Sequence, residues 1–167
     1  MAGTRIYEPW DLHLTLCYLG SFPEPRRKLL QRVLQEEIRG MDAPELALTG
    51  IGAFPALDQA RAVYAGVREG DERPGRLLTL QNRAWQAAYS LGWRPASHER
   101  QRKFRPHLTV ARRTQSGAKM DLPRSLTSLD FSQSWLPVDV CVLESRPNHP
   151  EERYRTLAAT PLVVRPG

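Results

Sequence analysis

One tetrapeptide pattern occurs twice in this chain, as His13-Leu14-Thr15-Leu16 and as His107-Leu108-Thr109-Val110. Each copy lies in a short alternating segment rich in strand formers, residues 12–19 (closed by Gly20) and 107–111. In an extended strand successive side chains alternate faces, so the histidine and threonine of each copy project together while the apolar residue between them turns to the core. Chance supplies a lone His-x-Thr in every few chains of this size, but two copies with matching apolar spacers arise by accident far less often.

The rest of the chain supplies the elements that carry such strands. Pro23 and Pro25 mark a helix entry, and Leu29, Leu30, Val33, Leu34 and Ile38 recur at helical spacing up to Gly40. Residues 45–51 and 61–67 read as antiparallel strands joined by a connection containing Phe54-Pro55. A second helix is expected over residues 74–91, with Leu77, Leu80, Ala84, Ala87 and Leu91 on one face and Gly92 after it. Runs 136–143 and 153–159 read as two more strands, the first starting late because of Pro137, with room for a short helix at 124–129 between the basic region and them. This order favours an α+β protein with antiparallel sheets over a doubly wound parallel one.

At 167 residues the chain suits one domain, or two small lobes. Cys17 and Cys141 stand in no metal-type spacing and are too few for a disulfide scaffold, which favours a reducing, cytoplasmic setting. No apolar run approaches the roughly 20 residues of a bilayer span, and no membrane partner is expected. A net charge of +6 calls for an anionic partner, and residues 94–113 hold seven arginines and lysines against Glu99 alone. As an isolated feature that run is also what a solvated loop looks like.

Two imidazoles and two hydroxyls brought together across a groove would surround a small anion and suit a phosphodiester undergoing in-line attack. Histidine's ordinary pKa of roughly 6.5 lets one copy accept the proton of water while the other protonates the leaving oxygen, with no metal or cofactor required. Thr15 and Thr109 would stabilise charge on the phosphoryl oxygens. The competing readings are that both histidines are satisfied groups in half-buried strands, or that they join Cys17 around zinc, which no paired-cysteine or carboxylate cluster supports. His98 and His149 fit no such pattern and read as surface residues.

At these residues the chain resembles the two-histidine phosphoesterase superfamily, and within it the bacterial and archaeal RNA 2′,3′-cyclic phosphodiesterases, historically called 2′-5′ RNA ligases. The resemblance rests on Asp11-Leu12-His13-Leu14-Thr15-Leu16-Cys17-Tyr18-Leu19-Gly20 and on Phe104-Arg105-Pro106-His107-Leu108-Thr109-Val110-Ala111-Arg112. Gly52-Ala53-Phe54-Pro55, Arg61-Ala62-Val63-Tyr64-Ala65-Gly66, Val142-Leu143-Glu144-Ser145 and Arg153-Tyr154-Arg155 add to it, so that it covers roughly residues 5 to 162. It implies a single bilobed domain over 1–167, with two pseudo-symmetric lobes of antiparallel sheet and helices flanking a central cleft and one motif on each wall. It also implies catalytic His13 and His107, phosphate-binding Thr15, Thr109 and Arg112, and metal-independent hydrolysis of cyclic-ended RNA or cyclic nucleotides to 2′-phosphates. His13 would then be the acid and His107 the base.

Three points qualify the likeness. Arg112 lies five residues after His107, so simple alternation aims it at the opposite face unless the strand ends or bulges; its bland reading is a surface ion-pair partner. Tyr18 shares parity with Leu14 and Leu16 and reads as core. Relatives carry a strand and a helix ahead of the first motif, whereas about a dozen residues precede His13 here, as a misplaced start or a lost element would give. A missing element would leave an unpaired sheet edge, open to another chain or to the apolar tail at 162–164. RNA end joining or processing, and a nucleotide- or RNA-binding module without turnover, are the alternative functions; the sequence leaves the oligomeric state open.

Overall fold

The computed structural model of the chain describes residues 3–70, 74–96, 103–115, 120, 131–149 and 151–165. The proposed short helix at 124–129, His98 and the basic residues Arg100 and Arg102 lie outside them. The chain divides into two compact units, one of Met1–Thr15, Ala47–Arg68 and Arg105–Ser134, the other of Leu16–Leu46, Glu69–Phe104 and Trp135–Gly167.

The first unit carries most of a five-stranded sheet. Its strands are β1 (Thr4–Ile6), β2 (Leu46–Phe54), β3 (Ala62–Glu69), β4 (His107–Arg113) and β5 (Ser134–Trp135), in the order β1-β4-β3-β2-β5. Strands β2 and β3 form the expected antiparallel hairpin: Arg61 donates to the Phe54 carbonyl at one end and Gly70 to the Glu45 carbonyl at the other. Ala60, Val63 and Ala111 make the buried core on one side of β3 and β4.

Strand β1 is itself one edge of this sheet. Thr4, Arg5 and Ile6 pair antiparallel with Arg113, Arg112 and Ala111, so the residues just ahead of the first motif cover β4 themselves. The apolar tail has another place: Val163 bridges Asp42, Leu162 donates to the Val138 carbonyl, and Leu162 is buried. Three residues of sequence carry too little periodicity to reveal β1, and the two residues of β5 carry less.

The second unit packs α1 (Arg27–Ile38) and α2 (Arg76–Ser90) with the antiparallel pair β6 (Asp139–Ser145) and β7 (Tyr154–Pro161). Leu30, Leu34 and Ile38 of α1 meet Leu80, Ala84, Ala87 and Ala88 of α2 in one core, as the helical spacing predicts. Helix α2 is closed at both ends by identifiable groups. The Glu69 carboxylate accepts from the Gly75 and Leu77 amides at 2.6 and 2.7 Å. Gly92, at φ +79, lets its own amide reach the Tyr89 carbonyl and the Trp93 amide reach that of Ala88, the hydrogen-bond pair of a left-handed helix stop.

The segment 12–19 is not a regular strand. Only Leu14 reaches the ladder, because the carbonyls beyond it have other donors: the indoles of Trp85 and Trp93 bond the Leu16 and Leu19 oxygens at 3.3 and 2.9 Å. Tyr18, expected in the core, is 70% exposed.

Candidate phosphate site on one sheet face

The histidine and threonine of both motifs fall within the first unit. An antiparallel bridge joins Leu14 to Leu108, the residue between histidine and threonine in each copy. Antiparallel register then sets His13 beside Thr109 and Thr15 beside His107, with all four side chains on the face opposite the two leucines. Diagonal neighbours in a regular pairing of this kind stand about 7–8 Å apart, the scale of a phosphate group with its oxygens.

Each imidazole has the same backbone seat. His13 Nδ1 lies 2.8 Å from the Asp11 carbonyl, and His107 Nδ1 lies 2.7 Å from that of Arg105. A carbonyl oxygen only accepts, so Nδ1 is the donor in both rings and Nε2 carries the lone pair whenever the ring is neutral. Local sequence builds both seats. The 3-10 turn Pro9–Asp11 presents the Asp11 carbonyl, and Pro106 holds Arg105 extended two residues before its histidine.

Aromatic rings flank His107. Its centroid is 5.2 Å from that of Tyr64 and 5.3 Å, edge-on, from that of Phe54, and those two rings stack at 4.5 Å. The Tyr64 ring lies over Gly52, where any Cβ would overlap it. Sequence reasoning assigned no role to Phe54 or Tyr64; both lie in stretches that carry the family resemblance, and nothing in one sequence says they touch His107.

Arg112 shares the histidine face, and a bulge is the reason. Along β3, Gly66 pairs with His107, Ala65 with Leu108 and Tyr64 with Thr109, but Val63 pairs with Ala111, which leaves Val110 as an extra residue. That insertion reverses the alternation, so Ala111 turns into the core and Arg112, opposite Ala62, returns to the side of His107 and Thr109. His13, His107 and Thr109 are half-buried; Thr15 and Arg112 are exposed.

Other polar groups have local roles. Arg94 lies 5.1 Å over the Tyr89 ring and donates to the Tyr89 and Trp93 carbonyls, so it closes the end of α2. His149 is an exposed turn residue beside Arg146, as expected. Among the described residues no three of His, Cys, Asp and Glu converge as a metal site, and no helix is long and apolar enough to cross a membrane.

Cys141 has the chemistry of an inert thiol. Burial, its hydrogen bond to the Asp139 carboxylate and the charge of that carboxylate push its pKa up to about 11 from 9.0. The thiolate fraction at pH 8 is then about a hundredfold below that of an unperturbed thiol. Iodoacetamide labelling followed by peptide mass spectrometry should find Cys141 modified correspondingly slowly in the folded protein and at an ordinary rate in denaturant. Equal rates in the two states would contradict this account.

The model of the 2′-5′ RNA ligase superfamily matches residues 2–148. The chain is 32% identical over 157 residues to the RNA 2′,3′-cyclic phosphodiesterase of Geobacillus stearothermophilus, covering 93% of this chain and 47% of that protein. With the enzyme of the same name from Archaeoglobus fulgidus it shares 30% identity over 134 residues, 80% of this chain and 70% of the relative. It thus spans about half the length of the first relative and more of the second. Among solved structures, TT0787 of Thermus thermophilus superposes with a TM-score of 0.69 at 25% identity, covering 96% of this chain and 83% of that one. Escherichia coli LigT complexed with 3′-AMP does so with a TM-score of 0.68 at 23% identity, covering 96% and 82%. The paired motifs on one sheet face, the α+β architecture and the family match over most of the length agree: this chain belongs to the 2′-5′ RNA ligase superfamily.

Proposed function

We propose that the chain opens 2′,3′-cyclic phosphates at RNA ends, or of nucleosides, with one histidine taking a proton from water and a second giving one to the leaving oxygen. The observation that supports this reading is the Leu14–Leu108 bridge between the two motifs, in each of which the imidazole is seated through Nδ1 on a backbone carbonyl. The relatives named RNA 2′,3′-cyclic phosphodiesterase support the substrate class.

In the proposed reaction His107 Nε2 takes a proton from water as its oxygen bonds to phosphorus, and the bond from phosphorus to O3′ breaks. His13, entering as the imidazolium, gives its Nε2 proton to O3′, leaving a 2′-phosphate and a 3′-hydroxyl. Because Nδ1 is protonated in both charge states of the ring, the two backbone seats hold each imidazole in place before and after transfer. Thr15, Thr109 and Arg112 donate to the non-bridging oxygens, whose charge grows in the transition state.

The test is hydrolysis of the four nucleoside 2′,3′-cyclic phosphates and of a cyclic-ended oligoribonucleotide in excess EDTA, with products read by phosphorus NMR. The expected result is a 2′-phosphate at a rate the chelator does not change. Binding of these substrates without turnover would instead favour a module that holds RNA ends. A joining reaction, in which a 5′-hydroxyl takes the place of water as the attacking oxygen, shares the same proton transfers and would show as product only when a 5′-hydroxyl RNA is supplied.

A further inference from the structure

The sheet face that carries the histidines continues past Arg112 to a second arginine. Strand β1 pairs Arg5 directly with Arg112, so both side chains stand on that face, one half-buried and one exposed. Like charges directly opposite each other on a sheet repel and destabilise the pairing. Among the described residues no ion pair joins either guanidinium to a carboxylate. On the other side of Arg112 the β3 partner is Ala62, a small and buried residue.

From this juxtaposition we infer that Arg5, standing beside Arg112, forms a subsite for the RNA backbone phosphate next to the reacting end, on the 5′ side of the terminal nucleotide. The inference rests on the cyclic phosphodiesterase reading and adds that the chain phosphate is read separately from the cyclic one. Register along β3 sets the spacing. His107 stands at the level of Gly66, Thr109 at Tyr64 and the arginine pair at Ala62, so the pair begins two residues, about 7 Å, beyond the outer threonine. Arg112 can lean back toward the reacting phosphate while Arg5, one strand further out, faces the next. Guanidinium forks match phosphate oxygens geometrically, and an anion between the two removes their mutual repulsion.

A dinucleotide ending in a cyclic phosphate carries that extra phosphate, and a nucleoside 2′,3′-cyclic phosphate does not. The quantity to measure is therefore the ratio of kcat/KM for the two substrates, in the parent protein and in R5Q and R113Q. Arg113 pairs with Thr4 one register step away, on the other face, and controls for the loss of one positive charge. The expected result is a preference for the dinucleotide that falls about tenfold in R5Q, recovers in part in R5K and changes little in R113Q. An unaltered ratio in R5Q, or an equal fall in R113Q, overturns the subsite.

Binding of 3′-phosphorylated mono- and dinucleotides, neither of which can turn over, gives the same ratio at equilibrium and separates the two ideas. If the parent protein hydrolyses nothing, the proposed reaction fails, while loss of the dinucleotide preference in R5Q still supports the subsite. If the parent hydrolyses both substrates and R5Q binds them in the parent ratio, the subsite fails and the reaction stands.

Discussion

Replacing either His13 or His107 by alanine should lower kcat on a nucleoside 2′,3′-cyclic phosphate by about 10³, the scale of one positioned acid or base. The two losses should not multiply. A single displacement needs both proton transfers in one transition state, so the double variant should be little slower than the slower single one. Leaving-group chemistry then separates the roles. A 4-nitrophenyl phosphodiester departs as a stable phenolate and needs no acid, so His13→Ala should regain much of its rate on that substrate while His107→Ala should not. Equal recovery in both variants would reverse or dissolve the assignment, and full activity of either on the cyclic substrate would end the two-histidine reading. Neither ring is fully buried, and each is held through Nδ1 by a backbone carbonyl that alanine leaves in place, so thermal melting of the variants should stay close to the parent.

How much of this could be read in advance follows from what each residue depends on. The helical stripe from Leu30 to Ile38 and its partner from Leu77 to Ala88 are local patterns, and both helices stand where periodicity put them. The alternation of His13 with Thr15 and of His107 with Thr109 is equally local. What joins them is the Leu14–Leu108 bridge, a contact between residues 94 apart in the chain, and no local rule reaches that far.

Arg112 shows the limit most clearly. Parity alone sends it to the wrong face, and only the extra residue at Val110, visible in the β3 register, brings it back. Segment 12–19 shows the converse. Its alternation is that of a strand, yet the indoles of Trp85 and Trp93 take the carbonyls a neighbouring strand would have used, and Tyr18 swings to solvent. Arg5 escaped notice because an arginine in a three-residue edge strand has no signature until its partner is known.

The second large effect concerns the hydroxyls. Thr15→Val and Thr109→Val keep the branched shape that strands favour, so the sheet loses a donor and little packing. If the hydroxyls touch the phosphoryl oxygens where charge develops, each change should lower kcat by about 10² while KM moves much less, since a donor aimed at the transition state contributes little to ground-state binding. Register makes the pair unequal in a checkable way. Thr109 is half-buried beside His13, and Thr15 is exposed beside His107, where water can replace part of its donation, so Thr109→Val should be the slower variant. Because both hydroxyls would act on one phosphate, the double variant should fall short of the product of the singles. A rise in KM with kcat intact would mean that the hydroxyls hold substrate without favouring the transition state. Rates within twofold of the parent in both single variants would leave the threonines as strand residues, and the anion would have to be held by the arginines alone.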